Sequence, residues 1–188
     1  MVFTLVACGG EEKASEEGNV KEINIAVSPD YPPYESLDTD GKTIVGFDAD
    51  MIALFPEYLN DGDTTYKFVW HSMSFENIVS QVQGGQVDIG VSGFTYDKSR
   101  KVAWSKPYTA TAQVAVVDKD SDIKTVKDLE GKTIAAQSGS TGEKAAKEIK
   151  NANVVSVTNV QEIFSSLTSK QYDAVVVDLA VAQNYVKE

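Results

Sequence analysis

The order of apolar runs along the chain predicts an α/β protein of two lobes, each a mainly parallel sheet flanked by helices. Three observations carry this. Short apolar runs at 23–27, 66–70, 87–91, 133–136, 154–157 and 174–177 alternate with stretches of helical spacing, the pattern of βαβ units. Gln83-Gly84-Gly85-Gln86-Val87-Asp88 and Thr168-Ser169-Lys170-Gln171-Tyr172-Asp173 each close a helix and open an apolar strand, so the second half echoes the first. The 188 residues, 42% of them apolar and only 5 of them proline, have a globular composition and room for two small lobes.

Taken in order, Ile23 to Val27 is a strand running into Ser28-Pro29-Asp30-Tyr31-Pro32-Pro33-Tyr34, where the prolines forbid helix and central strand. Phe47, Met51, Ile52, Leu54, Phe55 and Tyr58 recur at helical spacing, with Pro56 set to kink or end that helix. Tyr66 to Trp70 is a strand. Phe75, Ile78, Val79 and Val82 form one helical face behind a Ser74 N-cap, and Gly84-Gly85 stops it. Val87 to Val91 is the next strand, and 23–108 make the first lobe. A β-rich stretch at 109–118 crosses to a second lobe at 119–188. There, strands at 133–136, 154–157 and 174–177 alternate with helices at 141–150, 161–167 and 179–186.

Seventeen Lys and Arg against 28 Asp and Glu leave a net charge of −11, which disfavours nucleic acid and anionic membrane surfaces as partners. One Cys and one His exclude a disulfide framework and a closed Cys/His zinc site; no metal or cofactor is expected. His71, beside Trp70, reads as a solvated loop residue. The mostly apolar residues 1–7 run into Cys8, and Leu5-Val6-Ala7-Cys8 resembles a bacterial lipobox, with Cys8 as the lipid attachment site. Residues 9–22, rich in Glu and small residues, read as an acidic tether.

In parallel sheets ligands sit beyond the carboxyl ends of the strands, which singles out four loops. The first places Tyr31 and Tyr34 on a proline-stiffened segment suited to covering apolar parts of a small ligand. The second, Ser92-Gly93-Phe94-Thr95 with Arg100, combines carbonyls, a hydroxyl and a guanidinium fork that fits a carboxylate. The third, Gln137-Ser138-Gly139-Ser140-Thr141-Gly142, leads into a helix whose free N–H groups suit an anion; with Glu143 next, it is not a P-loop. The fourth holds Asp178, an acceptor for an ammonium. Each also has a plain structural reading: a corner, an Arg100–Asp97 surface pair, capping by Ser140 or Thr141, and an N-cap by Asp178. Together they complement a zwitterion.

Several motifs, in this order and spacing, resemble the polar amino-acid family of extracytoplasmic solute-binding proteins, the receptors of ABC importers. They are Asp30-Tyr31-Pro32-Pro33-Tyr34-Glu35, Gly46-Phe47-Asp48 with Asp50, Gly85-Gln86-Val87-Asp88, Ser92-Gly93-Phe94-Thr95 with Arg100, and Ser105-Lys106-Pro107-Tyr108. Asp128-Leu129-Glu130-Gly131-Lys132, the Gln137 to Glu143 loop, and Tyr172-Asp173-Ala174 with Asp178 complete the set. The resemblance implies a two-lobed venus-flytrap of the periplasmic-binding-protein type II fold, closing on a free amino acid and docking to a transporter permease. By position, Arg100 would fork onto the α-carboxylate, helped by the backbone of Thr141 and the Ser140-Thr141 turn, with Gln137 a further ligand-binding candidate. Asp178, Thr95 and the Gly93 carbonyl would hold the α-ammonium, and Tyr31 and Phe75 would flank the side chain. Ser28 stands where relatives that bind cationic amino acids often place an acid, so it is the specificity candidate and points to an uncharged polar ligand. The family would continue beyond Glu188 and return to the first lobe, so the expectation is that either the sequence is a fragment or the first lobe's core is left partly open.

The resemblance also implies extracytoplasmic localisation, with membrane contact only through the lipid anchor. A few relatives of the fold are dehydratases and others are sensory domains. No G-x-S-x-G elbow is present and His71 lies away from the four loops, so no catalysis is expected.

Overall fold

The computed structural model describes residues 19–60 and 62–186. The lipobox, Cys8 and most of the acidic stretch lie outside the described residues.

The first lobe is wound β–α–β–α–β. β1 (Asn19–Val27) pairs in parallel with β5 (Thr64–Ser72) on one side and with β6 (Ile89–Gly90) on the other, giving the order β5-β1-β6. α1 (Phe47–Leu59) and α2 (Phe75–Gln83) are the crossovers. β1 begins at Asn19, four residues before the apolar run, so Asn19 to Glu22 belong to the sheet rather than to a tether. These residues are exposed and carry no apolar pattern; their strand character comes from backbone pairing with Thr64 to Lys67. His71 likewise belongs to β5, bonded through Nε2 to Asn24 Oδ1 at 2.8 Å, not to a loop. Pro56 lies inside α1, which continues to Leu59. Ser74 does sit at the N-cap of α2, but its hydroxyl accepts from the Asn77 side chain and not from a backbone N–H.

Between β1 and α1 the chain forms a small antiparallel sheet of β2 (Asp30–Tyr31), β3 (Glu35–Leu37) and β4 (Ile44–Val45). Strands of two or three residues fall below what an alternating pattern can announce.

The second sheet has the order β7-β10-β8-β9, from β7 (Gln113–Val116), β8 (Thr133–Gln137), β9 (Asn153–Val157) and β10 (Ala174–Asp178). β7 runs antiparallel to β10, so the 109–118 stretch is not only a crossover: it ends as the edge strand of the second sheet. The central β10 is buried throughout. Val175 and Val177 face α4 (Val160–Thr168) and α5 (Leu179–Val186), while Ala174 and Val176 face Ala146 of α3 (Thr141–Lys147), a period-2 split of one apolar run. The first cluster also takes in Tyr31 and Tyr34, so first-lobe aromatics pack on the second lobe's core. The first lobe's own core is smaller, built on Ala26, Phe75, Ile78 and Val87. Beside it runs an apolar groove of about 1050 Å³, whose walls include Ile52, Phe55, Ile78, Val82 and Trp104.

Candidate functional site

All four loops converge where the two lobes meet. Tyr31, on β2, is buried, and its hydroxyl donates to Asp178 Oδ2 at 2.6 Å while accepting from the Asp178 backbone N–H at 3.2 Å. Burial first, and the Asp178 charge second, push the Tyr31 phenol well above the ordinary tyrosine range, so it keeps its proton and donates. Asp178 Oδ1 accepts from Gln113 Nε2 at 2.8 Å and, at the limit of a hydrogen bond, from Thr95 Oγ1 at 3.5 Å. The same Gln113 amide reaches Thr141 Oγ1 at 3.2 Å.

Arg100 lies over two aromatic faces, its Cζ 4.9 Å from the Phe94 ring centre and 5.5 Å from that of Phe75. Nη1 donates to the Thr95 carbonyl and Nη2 to the Gly139 carbonyl of the other lobe, each at 2.9 Å. Burial draws its pKa below the ordinary arginine value and the Asp97 charge opposes this; the group remains a cation at neutral pH. Asp97 itself ion-pairs with Lys144 across the cleft, with Ser99 as a second partner for that ammonium. The Lys144 hydrogen bond holds the Asp97 carboxyl well below the usual range.

On the other side of the cleft, the buried Asp30 carboxylate collects donors from both lobes. Ser28 Oγ reaches it at 2.8 Å, Gln137 Nε2 at 3.2 and 3.3 Å, and the Val160 backbone N–H at the start of α4 at 2.8 Å. Burial raises the Asp30 pKa, and these bonds pull it partly back.

The structure thus brings together Tyr31, Thr95, Arg100, Thr141 and Asp178, all picked out from the sequence. Gly93 is there as well, and only glycine fits: a Cβ would stand 2.5 Å from Tyr31 Cδ1. Phe75 is buried beneath Arg100, its ring centre 4.4 Å from that of Phe94 and 5.5 Å from the Arg100 Cζ, so it forms a floor under the guanidinium. Three further residues have different work. Gln137 bonds Asp30 and the Thr158 carbonyl. Ser140 caps α3, accepting from the Glu143 N–H at 3.0 Å, while Glu143 reaches back to the Gly139 N–H at 2.9 Å. The Ser28 hydroxyl is buried against Asp30. Asp97 pairs with Lys144, not Arg100, and Asp178 accepts side-chain donors. Gln113 and the roles of Asp30 and Lys144 were missed. Among the described residues no group of three or more His, Cys, Asp or Glu side chains is placed to hold a metal ion, and no helix is long and apolar enough to cross a membrane.

Two α/β lobes joined at a cleft, with an arginine and an aspartate among the groups gathered there, define the periplasmic-binding-protein class. The chain belongs to the bacterial extracellular solute-binding proteins, family 3, whose pattern it matches over residues 23–153. It is 30% identical over 192 residues to the arginine-binding extracellular protein ArtP of Bacillus subtilis, spanning all of this chain and 72% of that one. It is also 30% identical to a probable histidine-binding protein of Campylobacter jejuni, over 98% of this chain and 72% of the relative. Among solved structures, the substrate-binding protein of an amino acid ABC transporter superposes with a TM-score of 0.82 at 35% identity, over 89% of this chain and 75% of the other. The ancestral amino acid-binding protein AncCDT-1, a precursor of cyclohexadienyl dehydratase, superposes with a TM-score of 0.78 at 33% identity, over 88% of this chain and 74% of the other.

Proposed function

We propose that this protein is an extracytoplasmic receptor that binds one free polar amino acid and delivers it to an ABC importer, with Cys8 carrying a lipid anchor. The observation that carries the reading is the placement of Arg100, in the loop after β6 of one lobe, and Asp178, at the end of β10 of the other, both within the cleft. A cation on an aromatic floor matches an α-carboxylate, and a carboxylate that already accepts several donors matches an α-ammonium. Thr95 and Thr141 supply hydroxyls beside them. Ligand docks on the first lobe through Arg100, Thr95 and Tyr31, and the second lobe closes through Thr141 and Asp178, so binding shifts an equilibrium toward the closed arrangement.

The side-chain class is polar. Ser28 favours an uncharged side chain, while relatives named for arginine and histidine put those two ligands beside the uncharged polar amino acids at the head of the trial list. The test is thermal unfolding with each common amino acid. A ligand at about 100 times its Kd adds roughly 2.7 kcal/mol and raises the midpoint visibly. A midpoint that no amino acid moves refutes the reading. The likeness to a dehydratase precursor favours one second reading, and turnover of a candidate substrate would establish it.

A further inference from the structure

Behind the Ser92–Gly93 turn lie two carboxyl groups with no cation beside them among the described residues. Glu35, on β3, and Asp48, in the first turn of α1, are both 0% exposed. Glu35 Oε1 accepts from Ser92 Oγ at 2.5 Å and from the Gly93 backbone N–H at 2.8 Å. Asp48 Oδ2 accepts from the Tyr108 hydroxyl at 3.1 Å. The remaining oxygens, Glu35 Oε2 and Asp48 Oδ1, are buried without a hydrogen-bond partner, and the two carboxyls are near enough for the charge of one to act on the other.

The groups that face the pair are Tyr31 of β2, Tyr34 of the turn before β3, and Tyr108 after the first lobe's last strand. None carries positive charge. Two ionised carboxylates in contact in such surroundings repel without compensation, so the pair holds one proton between them. Glu35 accepts more donors, but Asp48 sits in the first turn of a helix and burial raises Glu35 further from its ordinary range, which makes Asp48 the better anion. With the proton on Glu35 Oε2, a single bond to Asp48 Oδ1 satisfies both orphaned oxygens, and Oε1 stays free to accept.

We propose that Glu35 is a positioning residue of the cleft, a neutral carboxylic acid that donates to Asp48 and through its other oxygen fixes the Ser92–Gly93 turn leading to Thr95. It rests on the binding reading only in what that turn is for. Gly93 lies against the Tyr31 ring and Thr95 reaches Asp178, so a displaced turn would shift two contacts at once.

The test compares the full chain with Glu35→Gln and Glu35→Ala. Glutamine reproduces the pattern of the neutral acid, an N–H toward Asp48 and a carbonyl toward Gly93. The Glu35 pKa lies well above its ordinary value because of burial first and the Asp48 charge second. The folded state therefore keeps a proton that the unfolded chain has lost above about pH 4.3. Stability from this group is full below that pH and falls as pH rises toward the folded pKa. Above the unfolded pKa and until the raised folded pKa is reached, the parent's folding constant should drop by up to roughly tenfold per pH unit relative to Glu35→Gln. The Gly93 amide, followed by hydrogen exchange, should stay protected in Glu35→Gln and lose about tenfold or more in Glu35→Ala.

Equal pH slopes in parent and Glu35→Gln would overturn the proposal, as would unchanged Gly93 exchange in Glu35→Ala. If Glu35→Ala does not fold, a Glu35→Gln variant that loses Gly93 protection or keeps the parent's slope overturns it. In binding, the amino-acid midpoint shift should be lost in Glu35→Ala and restored in Glu35→Gln; an unaffected Glu35→Ala refutes the positioning role. A parent that no amino acid shifts counts against the binding reading alone, since pH slope and exchange need no ligand.

Discussion

Arg100 is held by two carbonyls from different lobes and by two aromatic rings, which orders its long side chain before any anion arrives. Truncation to alanine should therefore weaken amino-acid binding by about 2–5 kcal/mol, read by isothermal titration; an unchanged Kd would take Arg100 out of the site. Gly93→Ala tests the neighbouring contact. Its Cβ would sit 2.5 Å from the Tyr31 ring, so the ring must move, at a cost of about 1–3 kcal/mol in denaturant unfolding. Parent-like stability would show that the ring gives way freely. At this scale the sequence displayed the charged and hydroxyl-bearing residues, because strand ends in an α/β pattern mark where a cleft falls. It did not display Asp30's role, whose partners Gln137 and Val160 lie 107 and 130 positions away, nor Gln113, which sits in an ordinary strand.

α4 takes one cap from its own chain neighbour and one from the opposite lobe. Asn159 accepts from the Glu162 N–H at 3.1 Å, and Asp30 accepts from the Val160 N–H. Local capping is readable as Asn-x-x-Glu; a cap supplied from another lobe is not, since nothing near α4 announces it. Asp30→Ala leaves the Val160 N–H and the Gln137 amide short of an acceptor in a buried contact, and should cost about 1–3 kcal/mol by chemical denaturation. Asp30→Asn, which retains an acceptor oxygen, should lose less; equal losses would mean that the charge matters and the geometry does not. The long elements followed their patterns closely. β1 outran its apolar run because pairing with a partner strand can extend a ladder through polar residues, and β2 to β4 are held by tertiary context rather than by propensity.

For the whole molecule, the two sheets and their joining were legible in the alternation of strand and helix, while the closeness of the lobes was not. The lobes meet through Tyr31–Asp178, Arg100–Gly139, Asp30–Gln137 and Asp97–Lys144. The last is a rim contact with half of the Lys144 side chain in solvent, so Lys144→Ala should change stability by only about 0–1 kcal/mol, with the difference shrinking in high salt. A larger, salt-independent loss would mark that pair as part of the closure itself. The Asp178 carboxylate has a consequence for the whole cycle of opening and closing. It accepts from Tyr31, Gln113 and Thr95, and an ammonium brings three N–H donors of its own. With Asp178 as the ammonium's acceptor, as proposed, ligand capture would be a substitution reaction, incoming donors for resident ones, with the number of bonds to the carboxylate nearly conserved. Discrimination would then follow from which of Tyr31, Gln113 and Thr95 leaves the carboxylate, and release would need no bond broken without another ready to replace it.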